Sequence, residues 1–186
     1  MSSTPSAGPS ARDRVLDAFE QLLTEQSERA ATLDAVAARA GVSKGGLLYH
    51  FASKDALVEG LVGRLQALVD EDLDRMRTAP AGPVDYFVRS SVSSQSALDR
   101  TVVAVARLAQ GADPRAREML STMQAGWLGA LETEIADPTV AKAVMLIGDG
   151  IYYNSVLLPE ATAVVRDEAE MDRLVELVLE LAHRRA

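Results

Sequence analysis

The chain has 186 residues, 48% hydrophobic and 25% charged, which is enough for one large or two small globular domains and excludes a disordered chain. It contains no cysteine, which excludes disulfides and thiolate metal sites and is compatible with the cytoplasm. The net charge is −8, and no run of about 18 apolar residues predicts a membrane span.

The N-terminal half begins with an arm and continues as helices. Residues 1–9 are rich in Ser, Pro and Gly and carry no basic residue, so we expect a disordered arm. Hydrophobic periodicity is helical almost throughout the chain, which predicts an all-α fold of about nine helices. Ser10 is expected to cap the first helix. Its buried stripe is predicted to be Val15, Leu16, Phe19, Leu22 and Leu23.

Three further helices are expected before the first long break. The second begins after Thr32 and ends at Gly41, since glycine tolerates the left-handed conformation of a helix end. Ser43 is expected to cap the third helix and Ser53 the fourth, which extends to about Arg77. The third helix is expected to bury some combination of Leu47, Leu48 and Phe51. The fourth is expected to bury a stripe of Leu57, Leu61, Leu65, Leu68 and Met76, with Val58 and Val62 beside it.

Proline- and glycine-containing segments divide the rest of the chain into five more helical patterns. Pro159 is expected to stop the fourth of them, and Arg184 and Arg185 lie at the negative dipole end of the last. The predicted ranges are 84–94, 98–110, 115–136, 139–158 and 167–184.

The second and third helices form a pattern that fits DNA. A tight corner at Gly41 permits a steep crossing of the helices, and Ala37 and Ala40 permit close packing. Between Val42 and Lys54 the only charged residues are two lysines, beside a titratable histidine. Such a surface suits the major groove of DNA. The acidic residues that precede it lie where a helix can face away: Asp13, Asp17, Glu20, Glu25 and Glu28.

The segments AARAGVSKG, LYHF and SKDAL resemble the TetR family of bacterial transcriptional regulators in order and spacing. The resemblance covers roughly Ala11 to Leu65. It implies a helix-turn-helix DNA-binding domain over residues 10–55 and a helical regulatory and dimerisation domain over 56–186. It also implies a homodimer that binds a partly palindromic operator, usually as a repressor, until a small molecule enters the body.

The resemblance also assigns contacts with DNA, some to base edges and some to phosphates. The positions concerned are Thr32, Ser43, Lys44, Gly45, Gly46, Tyr49, His50 and Lys54. Two departures stand out, since many relatives have tyrosine where this chain has Leu48 and a larger residue at Gly46. His50 is either a phosphate contact or a packed residue. Asp34 either accepts a hydrogen bond from cytosine N4 or is a favourable acid in a first helical turn.

The body offers two sets of candidates, each weighed against plain core packing. The first is a ligand pocket for adaptable apolar contacts, comprising Tyr86, Met119, Met123, Trp127, Asp149, Tyr152, Tyr153 and Asn154. Asp149 either receives a cationic ligand group, pairs with an arginine such as Arg107, or is solvated at the interface. The second set is a dimer interface built from the last two helices: Val140, Val144, Ile147, Ile151, Met171, Leu174, Val175 and Val178.

Other function classes have little support in the sequence. No nucleophile constellation or phosphate-binding loop is recognisable, so we expect no enzyme. No metal site is evident and no cofactor is expected, because His50 and His183 lack further ligands at suitable spacing. The remaining alternative is a helical protein-interaction module without a DNA or ligand role.

Overall fold

A computed structural model describes residues 10–92, 95–157 and 164–183. These residues form nine α-helices and no strand, which confirms the predicted all-α class. In chain order they are α1 (Ala11–Glu25), α2 (Leu33–Ala40), α3 (Lys44–His50), α4 (Lys54–Arg77), α5 (Pro83–Ser90), α6 (Ala97–Gln110), α7 (Pro114–Leu131), α8 (Pro138–Leu157) and α9 (Glu168–Ala182).

The chain folds as two compact units that each combine separate segments. The first contains the chain up to Ala67 together with Arg100–Leu120, and the second contains Leu68–Asp99 and the chain from Ser121. The helices α4, α6 and α7 therefore each contribute to both units. The predicted boundary after residue 55 falls inside the first unit.

In the first unit, α1 begins and packs as its sequence predicts. Ser10 and Asp13 form a reciprocal capping box, in which Ser10 Oγ accepts from the Asp13 N–H at 3.1 Å. Hydrogen bonds from the Ser10 hydroxyl and N–H hold the pKa of Asp13 below its usual value. The whole predicted stripe of α1 is buried. On α4, Leu57, Leu61 and Leu65 are buried as predicted, whereas Leu68 is partly exposed. In the part of α4 that belongs to the second unit, Met76 is buried as predicted, together with Val69 and Leu73.

A network of charges joins three helices of the first unit around Arg64. The Arg64 guanidinium donates to Asp17 at 2.6 Å and to Glu20 at 3.0 Å. Glu20 is buried and also accepts from the Thr101 hydroxyl at 2.8 Å. Asp17 and Glu20 of α1 are therefore bound to α4, and Glu20 also to α6, which satisfies a carboxylate that would otherwise be costly to bury.

In the second unit, α5 packs against α8 and α9. Gly148 allows the contact with α5, since a Cβ at this position would meet the Phe87 ring and lie 2.8 Å from Ser91 Oγ. Glu134 accepts from the Val84 N–H at 3.0 Å and so serves the N-terminus of α5. The interior is aliphatic and methionine-rich, in keeping with the few aromatic residues of the sequence.

Two helix ends differ from the prediction. The helix α7 ends at Leu131 rather than near Ala136, because residues 130–135 form tight turns that bring Ile135 into the interior. The helix α5 ends at Ser90, and Ser91 is its C-cap. Some predicted features lie outside the described residues and so are not compared. They are the arm over 1–9, the end of the helix predicted over 84–94, the stop at Pro159, and Arg184 and Arg185.

We predict that Arg64→Ala lowers the free energy of unfolding by about 3 kcal/mol, because it leaves the buried Glu20 carboxylate without its cation. Urea denaturation followed by circular dichroism measures the change. Arg75→Ala is the matched control, since Arg75 pairs with Glu71 on the exposed surface of α4, where the loss of an ion pair should change the stability little. Equal losses for the two variants would contradict the structural role given to Arg64.

Candidate nucleic-acid interface

The corner between α2 and α3 is formed by Gly41 and held by backbone bonds. Gly41 has φ +66° and ψ +34°, the left-handed conformation that the sequence predicted. The Val42 N–H donates to the Ala37 carbonyl at 3.1 Å, so the end of α2 is satisfied. Two residues later α3 begins, at an angle to α2 that the corner fixes.

The two faces of α3 differ sharply in exposure. Leu47 is fully buried, and Phe51, which follows the helix, is 3% exposed against α1 and α4. Leu48 is not part of the core, because it is 38% exposed. Tyr49 is 86% exposed, and its ring meets the exposed His50 ring edge-on at a centroid distance of 5.1 Å. The outer face of α3 is therefore free to contact another molecule.

Lys44 lies at the start of this outer face but is already paired. Its ammonium lies 2.9 Å from Asp34 Oδ1 and 3.1 Å from Oδ2, and both side chains are mostly exposed. Neither of the predicted roles of Asp34 included this contact. The spacing of ten residues across a corner gives no sequence signal, because it depends on the crossing angle of two helices.

Lys54, a predicted phosphate contact, is also engaged within the protein. Its ammonium donates to the Glu28 carbonyl at 2.6 Å and lies 3.5 Å from the Glu28 carboxylate. Through these contacts, Lys54 links the loop after α1 to the start of α4. A contact with DNA would use its remaining N–H groups.

The predicted helix caps are all present, and each capping hydroxyl still has its hydrogen available to donate. Thr32 accepts from the Ala35 N–H at 3.2 Å, Ser43 from the Gly46 N–H at 3.0 Å, and Ser53 from the Ala56 N–H at 3.1 Å. Each oxygen is used as an acceptor, so the hydroxyl hydrogen can be offered to a phosphate oxygen.

The two glycines of α3 differ in their surroundings. A Cβ at Gly45 would meet nothing within 4 Å, whereas one at Gly46 would lie 3.2 Å from Ser43 Oγ. Gly45 is exposed next to Lys44. The protein itself therefore does not require glycine at 45, and a close approach of another molecule to the backbone remains a reason for it.

In the second unit, two predicted pocket residues converge on a residue that the sequence analysis missed. Asp72 accepts from the Tyr86 hydroxyl at 2.8 Å and from Trp127 Nε1 at 2.9 Å. Burial and the bond to Asp72 raise the pKa of Tyr86 to about 12, so it stays a donor. A signal existed, since Asp72 follows Leu65 and Leu68 at helical spacing, and this spacing places it at the partly exposed edge of the buried stripe of α4.

The remaining pocket candidates occupy several environments. Asp149 is half-buried, and burial raises its pKa despite a long 3.4 Å bond from Gln124. The Tyr152 hydroxyl is buried without a hydrogen-bond partner, and burial with the charge of Asp99 raises its pKa to about 12. Met123 is buried, Tyr153 is exposed, and Asn154 donates to the Gly150 carbonyl at 2.6 Å. Met119 is buried in the first unit.

The predicted interface residues lie mostly inside the second unit. Val144, Ile151, Met171, Val175 and Val178 are buried, whereas Val140, Ile147 and Leu174 are partly exposed. Different apolar residues of the same helices face outward. They are Leu146 and Tyr153 on α8 and Leu177 on α9, exposed by 70%, 66% and 53%.

The part of the chain that the structure describes offers neither a metal site nor a membrane-spanning helix. There, no three side chains of His, Asp or Glu are grouped so that they could hold a metal ion. None of the described helices combines the length and the hydropathy that crossing a membrane requires.

Comparison with known proteins gives matches along most of the chain. The family model described as bacterial regulatory proteins, tetR family, matches residues 15–61, and the model described as tetracyclin repressor-like, C-terminal domain, matches residues 81–183. The transcriptional regulator UidR of Escherichia coli is 31% identical over 113 residues, which are 59% of this chain and 56% of UidR. The chain thus spans about half the length of the curated relatives it matches.

Solved structures agree in fold. Salmonella enterica GusR has a TM-score of 0.68 at 20% identity and covers 98% of this chain and 100% of its own. The multidrug binding protein EbrR, complexed with malachite green, has a TM-score of 0.69 at 22% identity, with coverage of 95% and 100%. A SmeT–triclosan complex has a TM-score of 0.68 at 19% identity and covers 91% of each chain. With two family models over most of its residues, the chain belongs to the TetR family of bacterial regulatory proteins.

Proposed function

We propose that the protein is a cytoplasmic transcriptional repressor that binds a partly palindromic operator as a homodimer and is released by a small-molecule effector. The observation that carries the proposal is the outer face of α3, where Tyr49 is 86% exposed beside Lys44 and His50 while Leu47 and Phe51 anchor the helix. A short helix with one anchored and one polar face fits the major groove, about 12 Å wide.

Thr32, Ser43, Tyr49 and His50 are proposed to fix the protein on the phosphates, and Lys44 to reach a base edge. Hydroxyl and imidazole groups are common donors to phosphate oxygens and set orientation rather than sequence preference. Gly45 and Gly46 are proposed to let the backbone approach the groove, and Lys54 to add a phosphate contact beside its bond to Glu28.

Dimerisation follows from the size of α3. A helix of seven residues reads few base pairs, so a specific operator requires two copies. The outward apolar residues Leu146, Tyr153 and Leu177 support an interface formed by α8 and α9 about a two-fold axis. The predicted interface residues that are buried, such as Val144 and Val178, would support this face from behind rather than touch the partner.

The effector is proposed to bind in the second unit near Asp149 and Tyr152. Two structural relatives are described with malachite green and with triclosan, organic molecules rich in aromatic rings. Asp149 is partly desolvated with one weak partner, and the Tyr152 hydroxyl is buried without one, so both would gain from a ligand with polar groups. Release from DNA requires that the ligand bind the DNA-incompetent state more tightly.

We predict that the full chain selects an inverted repeat from random duplex DNA, and that Tyr49→Ala weakens binding to that sequence about tenfold or more. Fluorescence anisotropy at one stated salt concentration measures the affinity. Val164→Ala is the control, because it truncates an exposed side chain outside α3 and outside the proposed dimer interface. No enrichment of any sequence would point instead to a protein-interaction module.

Gly45→Ala is predicted to separate stability from DNA binding. Alanine should stabilise α3 by about 0.5–1 kcal/mol, since its Cβ meets nothing in the protein. The added methyl group should nevertheless weaken operator binding, because it holds the backbone away from the groove. Gly63→Ala, at an exposed position of α4, should stabilise that helix by a similar amount without affecting DNA binding. Equal or tighter operator binding by Gly45→Ala would oppose a close backbone approach.

Leu146→Glu is predicted to convert the dimer to a monomer, because it places a charge in the proposed apolar interface. Sedimentation velocity at micromolar concentration measures the change, and operator affinity should fall with it. Val164→Glu makes the same exposed apolar-to-acid change outside α8 and α9 and should leave the dimer intact. A wild-type chain that sediments as a monomer with and without DNA would refute the assembly.

A further inference from the structure

The ion pair between Asp34 and Lys44 is the feature of the DNA-facing surface that the proposed function leaves unexplained. Lys44 is the only Lys or Arg between Val42 and Lys54, so it is the cation best placed on α3 to reach DNA. Its ammonium lies within 3.1 Å of both oxygens of a carboxylate on α2. That carboxylate lies in the first turn of α2, at the opposite end of the helix from the corner at Gly41, and Lys44 reaches it across the two helices.

Protein stability gives a weak reason for this pair. The side chains are 59% and 72% exposed, and ion pairs at such positions contribute little to folding. A favourable interaction of Asp34 with the α2 dipole needs only its charge, not a contact with Lys44. On a surface that faces DNA, the carboxylate lowers the general affinity, because it repels phosphates and neutralises the nearest cation. The position of Asp34 is therefore to be explained by the recognition of bases.

Hydrogen-bonding capacity supplies that reason. The Lys44 ammonium has three N–H donors, of which one donates to Asp34 Oδ2 at 3.1 Å, so donors are left to give. The carboxylate keeps lone pairs that can still accept. The pair thus offers a donor beside an acceptor on one surface.

A G·C base pair presents the complementary pattern in the major groove. Guanine offers the acceptors N7 and O6, and the cytosine N4 amino group beside them is a donor. An A·T pair places the adenine N6 amino group where guanine has O6, so it would direct a donor at the ammonium. We infer that the Asp34–Lys44 pair reads one G·C base pair in each operator half-site, with Asp34 as a specificity-determining residue.

This inference rests on the proposed function, and it assigns each side chain a task. Lys44 donates to guanine, and Asp34 accepts from cytosine N4 while it holds the ammonium away from the phosphates. Gly45 adds no side chain beside the pair, and both side chains of the pair are mostly exposed. The net charge of the pair is zero, so its gain is in sequence discrimination rather than in general affinity.

The test uses the full-length chain and the inverted repeat that it selects from random DNA. Each G·C pair of that repeat is replaced symmetrically by A·T, and affinities are measured for the wild type and for Asp34→Asn. The wild type is expected to lose about tenfold at one symmetric position, and Asp34→Asn is expected to lose that preference there alone. Lys44→Met is expected to lose the preference at the same position.

Salt dependence gives a second readout that a structural role would not move. Without the carboxylate, Lys44 becomes available to a phosphate, so Asp34→Asn should bind unrelated DNA more tightly. The slope of log affinity against log salt should steepen by about one per protomer. Glu25→Gln is the matched control, because Glu25 pairs with Arg39 at 2.9 Å in the same unit and carries the same charge. It should leave the base preference and the salt slope near the wild-type values.

The outcomes separate this inference from the proposed function. If the wild type binds its repeat and Asp34→Asn, folded by thermal melting, keeps every base preference, the inference is wrong and the proposed function stands. If Glu25→Gln loses the same preference, general charge rather than the pair is responsible, and the inference is again wrong. A wild type that selects no sequence overturns both.

Discussion

The burial of Phe51 between α1 and α4 is the contact on which the DNA-facing surface depends. Its ring occupies space that Gly60 leaves open, since a Cβ there would lie 2.6 Å from Phe51 Cε1. Together with the fully buried Leu47, it fixes which side of α3 faces inward. Tyr49 and His50 are consequently held outward by this packing, whereas the Lys44 side chain is also held by Asp34. A site on an anchored helix loses little conformational entropy when it binds, which favours affinity.

Electrostatics in the first unit follow the same separation of inside and outside. A chain with a net charge of −8 can approach DNA only if its acids are kept from the contact surface. Arg64 binds the carboxylates of Asp17 and Glu20 on the side of α1 that faces α4, and Lys54 lies within ion-pair distance of Glu28. Asp34 is the exception, because it remains exposed beside Lys44. The same network joins α1 to α6 through the hydrogen bond from Thr101 to Glu20.

Much of the fold was predictable from local sequence signals. The caps at Ser10, Thr32, Ser43 and Ser53 and the glycine at 41 depend on residues within a few positions, so they are readable along the chain. Helical spacing places Glu20 and Asp72 beside the buried stripes of their helices, where Glu20 is buried and Asp72 is partly exposed, so partners within the protein could have been expected for both. The pairing of Asp34 with Lys44 and the burial of Val144 and Val178 within the unit depend on how helices cross, which periodicity does not encode. Which side of an apolar helix meets a partner is undetermined for the same reason.

The central claim is that α3 enters the major groove twice per operator, and site-directed DNA cleavage tests it most directly. The natural chain has no cysteine, so Ala52→Cys, exposed just after α3, provides a unique attachment point for an iron chelate. The account predicts cleavage of the selected operator at two symmetric places, one in each half-site. Ala136→Cys, exposed in the second unit, should give none. Cleavage from position 136 but not from 52, or no cleavage from 52 in a bound complex, would contradict the account.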